Sequence, residues 1–220
     1  MTKMELPEAL ETGSSNPESL VSRCKPLVVL ARRRRTTFNL CSTINMNLRS
    51  ITPTKGLADI LLLGDPRLYE VCEPLTPDDL PLIATIVADL HQALMEFRAI
   101  YKAGRAIAAP QLGYMKRLIY MNIDDNPTVF INPTIVWASE EQFTLWDDCM
   151  SLPNLLVMLK RHRVIKIQFW DTNWQPHEWT LHDDLSELLQ HEYDHLDGIL
   201  CTQRALDSQA FRWRPTPASN

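Results

Sequence analysis

Apolar residues recur at helical spacing in one long segment of the chain. Residues 76–79, T-P-D-D, have the composition of a helix start, with a capping Thr, Pro at the first helical position and acids in the first turn. An apolar stripe at spacings of three and four residues follows, formed by Leu80, Ile83, Val87, Leu90, Leu94 and Phe97. The pattern predicts a helix of about 25 residues that ends near Gly104.

Shorter segments rich in β-branched and aromatic residues, bounded by Pro, Asn or Asp, are typical of strands. They are Leu118–Ile123, Thr128–Val136, Val164–Trp170 and His177–Leu181. Helical spacing returns in residues 186–196, just after Asp183 and Asp184, where the first turn of a helix favours negative charge. One long helix, several strands of antiparallel type and a second helix predict an α+β fold.

Composition divides the chain into three parts. Residues 1–55 hold nine Lys/Arg and four Asp/Glu, a net charge of +5, whereas the other 165 residues hold 13 and 23, a net charge of −10. We assign residues 1–55 to a disordered or targeting extension, 56–206 to the folded domain, and the aperiodic residues 207–220 to a disordered tail. The basic run Arg32–Arg35 and the lack of nearby acids resemble an organellar transit peptide, and a start at Met46 is the alternative.

The same composition excludes several classes of protein. An acidic main domain argues against specific nucleic-acid binding, which uses a basic surface. No apolar run approaches the roughly 18–20 residues that span a bilayer, so we expect no membrane span. Five cysteines with irregular spacing argue against a disulfide framework and leave thiolates available as metal ligands.

Residues 191–195, H-E-Y-D-H, form an H-E-x-x-H pattern. On a helix, His191 and His195 lie one turn apart on the same face, and Glu192 lies at the edge of that face. This arrangement predicts a divalent metal site with Glu192 as a proton shuttle. No acid stands about twenty residues downstream and no further His follows, so the cysteines are the candidates for a third ligand. Cys149 lies in residues 146–153, a segment that we expect to be a loop.

Three segments, in the same order, resemble motifs of the peptide deformylases. Residues 104–113, G-R-A-I-A-A-P-Q-L-G, resemble the family's G-x-G-x-A-A-P-Q-x-G. Residues 147–151, D-D-C-M-S, resemble E-G-C-L-S, and residues 190–198, Q-H-E-Y-D-H-L-D-G, resemble Q-H-E-x-D-H-L-x-G. The resemblance extends from about residue 60 to residue 206, nearly the whole predicted domain.

The resemblance implies antiparallel or mixed sheets packed around the H-E-x-x-H helix, with the long helix preceding them. It implies that Cys149, His191 and His195 hold one divalent ion, with Fe²⁺ preferred and Zn²⁺ able to replace it. Glu192 would move the proton, and the Gln111 side chain and the Met150 backbone N–H would stabilise an oxyanion. The implied substrate-binding residues are Gly104, Ala106, Asp148, Asp184 and Leu188.

The implied reaction is hydrolysis of the N-terminal formyl group of formyl-methionyl nascent polypeptides, releasing formate. The implied partners are the N-formylated peptide and the ribosome surface, and the implied state is a monomer or dimer. The location would be the cytoplasm of a bacterium, or a mitochondrion or plastid of a eukaryote. The competing interpretations are a binding protein that keeps its metal only as a structural staple, and an H-E-x-x-H protease acting on longer peptides.

Several residues depart from the family pattern near the expected substrate. Ala106 and Asp148 replace glycines, and Arg105 adds a cation beside Ala106. Asp184 and Glu187 stand where apolar residues or Arg are usual. We therefore hypothesise a substrate pocket of altered polarity, in which activity on formyl-Met peptides is reduced or redirected.

Overall fold

Two helices and eight strands form residues 51–214, the part of the chain that the computed structural model describes. The helices are α1 (Leu80–Tyr101) and α2 (Asp183–Leu196). The strands are β1 (Ala106–Ala108), β2 (Leu118–Ile123), β3 (Asn126–Ala138), β4 (Gln142–Cys149), β5 (Leu152–His162), β6 (Val164–Trp170), β7 (Pro176–His182) and β8 (Phe211–Trp213). The predictions for residues 1–50 and 215–220 lie outside the described residues.

The strands form two antiparallel sheets, and α2 contacts both. The first sheet has the order β1-β2-β3-β6-β7 and the second has the order β4-β5-β8. Helix α2 packs on β1, β2, β6 and β7 of the first sheet and on β5 of the second. The α+β prediction, with sheets around the H-E-x-x-H helix, is confirmed. The metal motif therefore lies at the centre of the fold, where both layers contribute side chains.

Helix α1 follows a 3₁₀ turn, Pro77–Asp79, in which Asp79 accepts hydrogen bonds from the backbone and hydroxyl of Thr76. The α-helical part is 22 residues long and ends at Tyr101. Its C-cap residue, Lys102, adopts the left-handed conformation, two residues before the predicted C-cap region at Gly104. The segment 77–101 is long and apolar enough to span a membrane by composition alone. Its stripe from Ile83 to Phe97 is instead buried in the protein core against β1 and β2.

The strand predictions were confirmed at β2 and β6 and were short at both ends of β3 and β7. Strands β4 and β5 were missed, and Cys149, expected in a loop, is the last residue of β4. Strand β4 alternates apolar residues with polar ones and has two acids just before its last residue, whereas β5 contains an apolar run, Leu155–Leu159, that the sequence interpretation did not use. The two strands pair with each other in an antiparallel register that runs from Gln142 opposite His162 to Asp148 opposite Leu156.

The predicted folded domain, residues 56–206, is too short at both ends. Strand β8 pairs with β5, so the prediction of disorder was wrong for Phe211–Trp213. A three-residue strand is too short to produce a periodic pattern, and its partner supplies the hydrogen bonds. At the other end, the backbone N–H groups of Thr54 and Lys55 donate to Asp89 of α1, so the folded part begins before residue 56.

Gly198 lies just after α2, where the chain closely approaches the backbone of the segment before α1. It has φ +70°, and a Cβ there would lie 2.5 Å from the backbone oxygen of Tyr69. Gly64 has φ +105° but has nothing within 4 Å of the same position, so it is a matched control for backbone strain without a clash. We expect Gly198→Ala to lower the free energy of unfolding by about 2–4 kcal/mol and Gly64→Ala by about 1 kcal/mol. Urea denaturation measures both, and equal losses would contradict the close approach.

Candidate metal centre

Helix α2 and the end of β4 bring the three predicted ligands together. His191 and His195 lie one turn apart on α2, with ring centroids 5.0 Å apart. Cys149 lies at an irregularity in the β4–β5 register, where the chain turns through Met150 and Ser151. Its Sγ lies 3.2 Å from Nε2 of His195. The H-E-x-x-H pattern therefore predicted two of the ligands from helix geometry, and the third, Cys149, lies at the end of a strand.

The geometry of these residues fits a metal ion. One ligand atom from each of Cys149, His191 and His195 lies within 4.8 Å of the other two, and all three residues are buried. Tetrahedral bonds of about 2.3 Å to sulfur and about 2.0–2.1 Å to nitrogen would separate these donors by about 3.5 Å. The observed separation of Sγ and Nε2 is close to that value. A thiolate with two imidazoles also suits Fe²⁺ or Zn²⁺, and not a hard ion such as Mg²⁺.

Glu192 is positioned to hold a proton beside this cluster. It is buried, and its Oε2 has no hydrogen-bond partner among the described residues. Burial raises the pKa of Glu192 to about 7, and the charge of His191 acts against that rise. A carboxyl group with a pKa near neutrality can both accept and release a proton.

Gln111 is held by its own backbone turn. It lies in the 3₁₀ turn Ala109–Leu112, and its Oε1 accepts a hydrogen bond of 2.9 Å from the backbone N–H of Ala108. This contact directs Nε2 toward the cluster, 3.6 Å from Sγ of Cys149 and 3.3 Å from Oγ of Ser151. The side-chain amide therefore presents an N–H donor beside the metal ligands.

A buried network of ion pairs contacts His191 through Nδ1 of its ring. Sequence reasoning missed most of this network. Asp147 contacts Nδ1 of His191 at 2.9 Å and pairs with Arg161 of β5 at 3.1 Å. Arg161 also pairs with Asp194 at 2.5 Å, and Asp194 pairs with Arg204 at 2.8 Å. The available signals were Asp147, two residues before Cys149, and Asp194, the acid of the motif in residues 190–198.

The network also sets the charges at the site. Burial acts against ionisation of Asp147, but His191 and Arg161 hold its pKa at about 2. Burial alone would lower the pKa of His191, but Asp147 and Cys149 raise it well above the usual value. For His195, burial and the charge of His191 lower the pKa well below the usual value. Without a metal, the cluster therefore favours a proton on His191 and a neutral His195.

A cavity of about 60 Å³ opens on His191 and Glu192. It is bordered by three of the five predicted substrate-binding residues, Ala106, Asp148 and Leu188, and by Met150 and Gln111. The other two, Gly104 and Asp184, do not line it. A Cβ at Gly104 would point toward Leu94 and Phe97 of α1. Arg105 and Glu187 are in the wall, although the sequence interpretation did not place them among the binding residues.

Comparison with known proteins decides the family. The sequence profile of the polypeptide deformylases matches residues 57–210. The chain belongs to the peptide deformylase family. The peptide deformylase of Treponema pallidum (strain Nichols) is 35% identical over 147 residues, which are 66% of this chain and 86% of that protein. The peptide deformylase of Agathobacter rectalis is 31% identical over 149 residues, which are 68% of this chain and 90% of that protein.

Solved structures agree with this assignment. The peptide deformylase of Thermotoga maritima superposes with a TM-score of 0.59 at 30% identity, covering 67% of this chain and 97% of that one. The peptide deformylase of Synechococcus elongatus in complex with actinonin gives a TM-score of 0.64 at 27% identity, covering 73% and 87%. This member of the family is thus a metal-dependent hydrolase that removes the N-terminal formyl group of nascent peptides.

The contact between Asp147 and His191 predicts a loss of metal affinity in Asp147→Asn. An amide cannot hold the imidazole with the same charge, and second-layer partners of this type contribute about 10–100-fold to metal affinity. Asp148→Asn is the matched control, since Asp148 pairs with Arg214 and not with a ligand. Competition with a chelator measures the dissociation constants. Equal affinities in the two variants would contradict the role of Asp147.

The raised pKa of His191 predicts a metal affinity that falls as the pH falls. The metal binds the deprotonated imidazole, so below that pKa binding must displace a proton. The apparent affinity should decrease by about tenfold per pH unit for each proton displaced. Calorimetry at one pH in two buffers of different ionisation enthalpy counts the released protons. Binding without proton release between about pH 6 and 7 would contradict the pKa assignment.

Proposed function

We propose that Cys149, His191 and His195 hold Fe²⁺ and that Glu192 and Gln111 carry out hydrolysis of the formyl group of formyl-methionyl peptides. The observation that supports this most directly is the buried Oε2 of Glu192 beside the ligand cluster, which has no hydrogen-bond partner within residues 51–214. When bound, the metal supplies Lewis-acid polarisation and makes water more acidic. The donor set accepts Fe²⁺ or Zn²⁺, and we assign Fe²⁺ from the family's preference.

In this proposal Glu192 transfers the proton, and Gln111 and the Met150 backbone stabilise the developing negative charge. Glu192 takes a proton from the attacking water onto its carboxylate and later gives it to the departing amine nitrogen. Gln111 donates its Nε2–H to the developing oxyanion, and the backbone N–H of Met150 is the second donor. Such donors each contribute about 3–4 kcal/mol where they have been removed in other enzymes. The Ala108 contact keeps the Gln111 amide in the donating orientation.

The same proposal specifies the products of the reaction, the partners of the protein and its location in the cell. Formate and a peptide with a free amine leave the site, so the natural partners are N-formylated chains as they emerge at the ribosome surface. The bacterial relatives favour the cytoplasm, and in a eukaryote residues 1–55 would direct the chain to a mitochondrion or plastid. We propose a monomer or dimer as the active form. Analysis of bound metal after anaerobic purification, together with formate release, tests the Fe²⁺ assignment.

Glu192→Gln separates catalysis from metal binding. We expect the metal content to stay unchanged, because Glu192 is not a ligand, and kcat to fall by about 10²–10⁴-fold, because the general base is lost. Formate release from formyl-Met-Ala-Ser and the metal content of the same sample are the two measurements. Glu178→Gln, on the exposed face of β7, is the control for charge loss.

The two competing functions make different predictions for this variant. A protein that uses its metal only as a staple would show no activity for Glu192→Gln to remove. The intact Glu192 and Gln111 argue against that function. A protease acting on longer peptides would cleave unformylated peptides, and the Cys149 ligand argues against it, since that class uses an acid or a third His.

A further inference from the structure

The segment before α1 contacts two turns beside the metal centre. The backbone N–H of Leu61 donates to the backbone oxygen of Gln111 at 2.8 Å. Two residues later, the N–H of Leu63 donates to the backbone oxygen of Ser151 at 3.0 Å. These turns carry the two proposed oxyanion donors, the Gln111 side chain and the Met150 backbone N–H. The position of this segment therefore bears on both donors.

The side chain of Lys55, at the start of this segment, makes a further contact with the Gln111 turn. Its Nζ donates to the backbone oxygen of Leu112, one residue after Gln111, at 2.7 Å. The same ammonium group lies 3.8 Å from the centre of the Tyr114 ring, in a cation–π contact. A charged donor makes a stronger hydrogen bond to a carbonyl than a neutral one does. Lys55 therefore fixes the end of the turn.

A buried carboxylate of α1 fixes the backbone from which the Lys55 side chain extends. Oδ1 of Asp89 accepts from the N–H groups of Thr54 at 2.6 Å and of Lys55 at 3.2 Å. Its Oδ2 accepts from the hydroxyl groups of Thr54 at 2.9 Å and of Tyr114 at 2.6 Å. Burial opposes ionisation of Asp89, but these four hydrogen bonds hold the pKa of its carboxyl below the usual value. One side chain thus joins α1 to the Lys55 backbone and to the ring that Lys55 contacts.

The Gln111 amide moves with its turn. Its Oε1 accepts from the backbone N–H of Ala108, so the side chain is held by the backbone of the turn itself. Its Nε2 lies 3.6 Å from Sγ of Cys149. Hydrogen bonds weaken steeply as their geometry departs from the optimum, and a misplacement of about 1 Å can cost about 10²-fold in rate. A contact that holds the turn therefore affects the rate through the Gln111 donor.

We propose that Lys55, anchored by Asp89, is a positioning residue for the oxyanion donor Gln111. Lys55 does not border the cavity beside the metal ligands, so it acts through the Leu112 carbonyl. The inference rests on the proposed function, which assigns Gln111 to the oxyanion. Because that donor acts in the transition state, a displaced turn lowers kcat and leaves KM unchanged. Residues 54 and 55, which the composition assigns to the extension, thereby belong to the catalytic unit.

The first test removes the ammonium group of Lys55 in the metal-loaded full chain. Lys55→Met keeps an unbranched side chain that can still pack on the Tyr114 ring. With formyl-Met-Ala-Ser as substrate, we expect kcat to fall by about tenfold, with KM and the metal content unchanged. Lys102→Met is the matched control, because Nζ of Lys102 also donates to a backbone oxygen, that of Ala99 at 2.8 Å, away from the Gln111 turn. The control should leave kcat unchanged.

A double-mutant cycle separates positioning from a purely structural role. Gln111→Ala alone should lower kcat by about 10²–10³-fold. If Lys55 acts through Gln111, Lys55→Met should cause no further loss of kcat in that background. A role in stability alone would lower the melting temperature equally in both backgrounds and leave kcat of the folded enzyme unchanged. Should Lys55→Met fail to fold, Tyr114→Phe removes one hydrogen bond of the Asp89 anchor, keeps the ring, and enters the same cycle.

The outcomes separate this inference from the proposed function. A loss of kcat of about threefold or more that disappears in the Gln111→Ala background and is absent in Lys102→Met supports the inference. A smaller loss, a loss that persists with Gln111→Ala, or an equal loss in Lys102→Met overturns it while formate release still supports the reaction. An unchanged kcat in Gln111→Ala overturns the role of Gln111 and this inference together. No formate release by the wild type overturns the proposed function as well.

Discussion

Arg161 is the residue through which the two halves of the metal centre are held in register. It lies on β5, is buried, and binds Asp147 of β4 and Asp194 of α2. Each of these acids lies close in sequence to a metal ligand, so the position of one guanidinium fixes the strand that carries Cys149 against the helix that carries His191 and His195. A buried network of this kind adds little net stability, because desolvation offsets the attraction. Its contribution is geometric, since three ligand atoms must converge to within a few tenths of an ångström.

The charges in that network are balanced in a way that suits a metal site. Arg161 and Arg204 face Asp147 and Asp194, which leaves Asp147 free to act on His191 without an uncompensated buried charge. Asp147 contacts Nδ1 of His191, and a metal ligand in this family of sites uses the other ring nitrogen. The same carboxylate thus orients the ring and increases its basicity.

Local patterns in the sequence predicted the local parts of this site. His191 and His195 could be paired because a helix repeats every three to four residues. Strands β2 and β6 could be located because they are mostly apolar and include β-branched and aromatic residues. Cys149 came from resemblance to a family, since nothing in its own segment indicates a strand end. Arg161, Asp194 and Arg204 could not be predicted, because their pairing depends on which strands are neighbours and on how α2 lies across them. Arg105 and Glu187 were noted as unusual, but their contact links residues far apart in sequence.

The departures from the family glycines are accommodated by the backbone. Neither Ala106 nor Asp148 is among the described residues with positive φ, so neither substitution requires a left-handed backbone conformation. Ala106 lies in β1 and is buried, while Asp148 pairs with Arg214 beside the cavity. These changes therefore alter the size and charge of the cavity and not the path of the chain, which is consistent with a site whose ligand geometry is retained.

Residues 205–214 cover one side of β5 along most of its length. Backbone hydrogen bonds join Met158 to Leu206 and Ala210, and Asn154 to Arg214, in addition to the pairing of β8. If the chain ended at residue 206, most of the N–H and C=O groups on that side of β5 would lose their partners and present an open sheet edge. Such an edge can template strands from other molecules. Residues 205–214 thus cover an edge that would otherwise be open to edge-to-edge pairing, and their three-residue strand is short enough to offer little edge of its own.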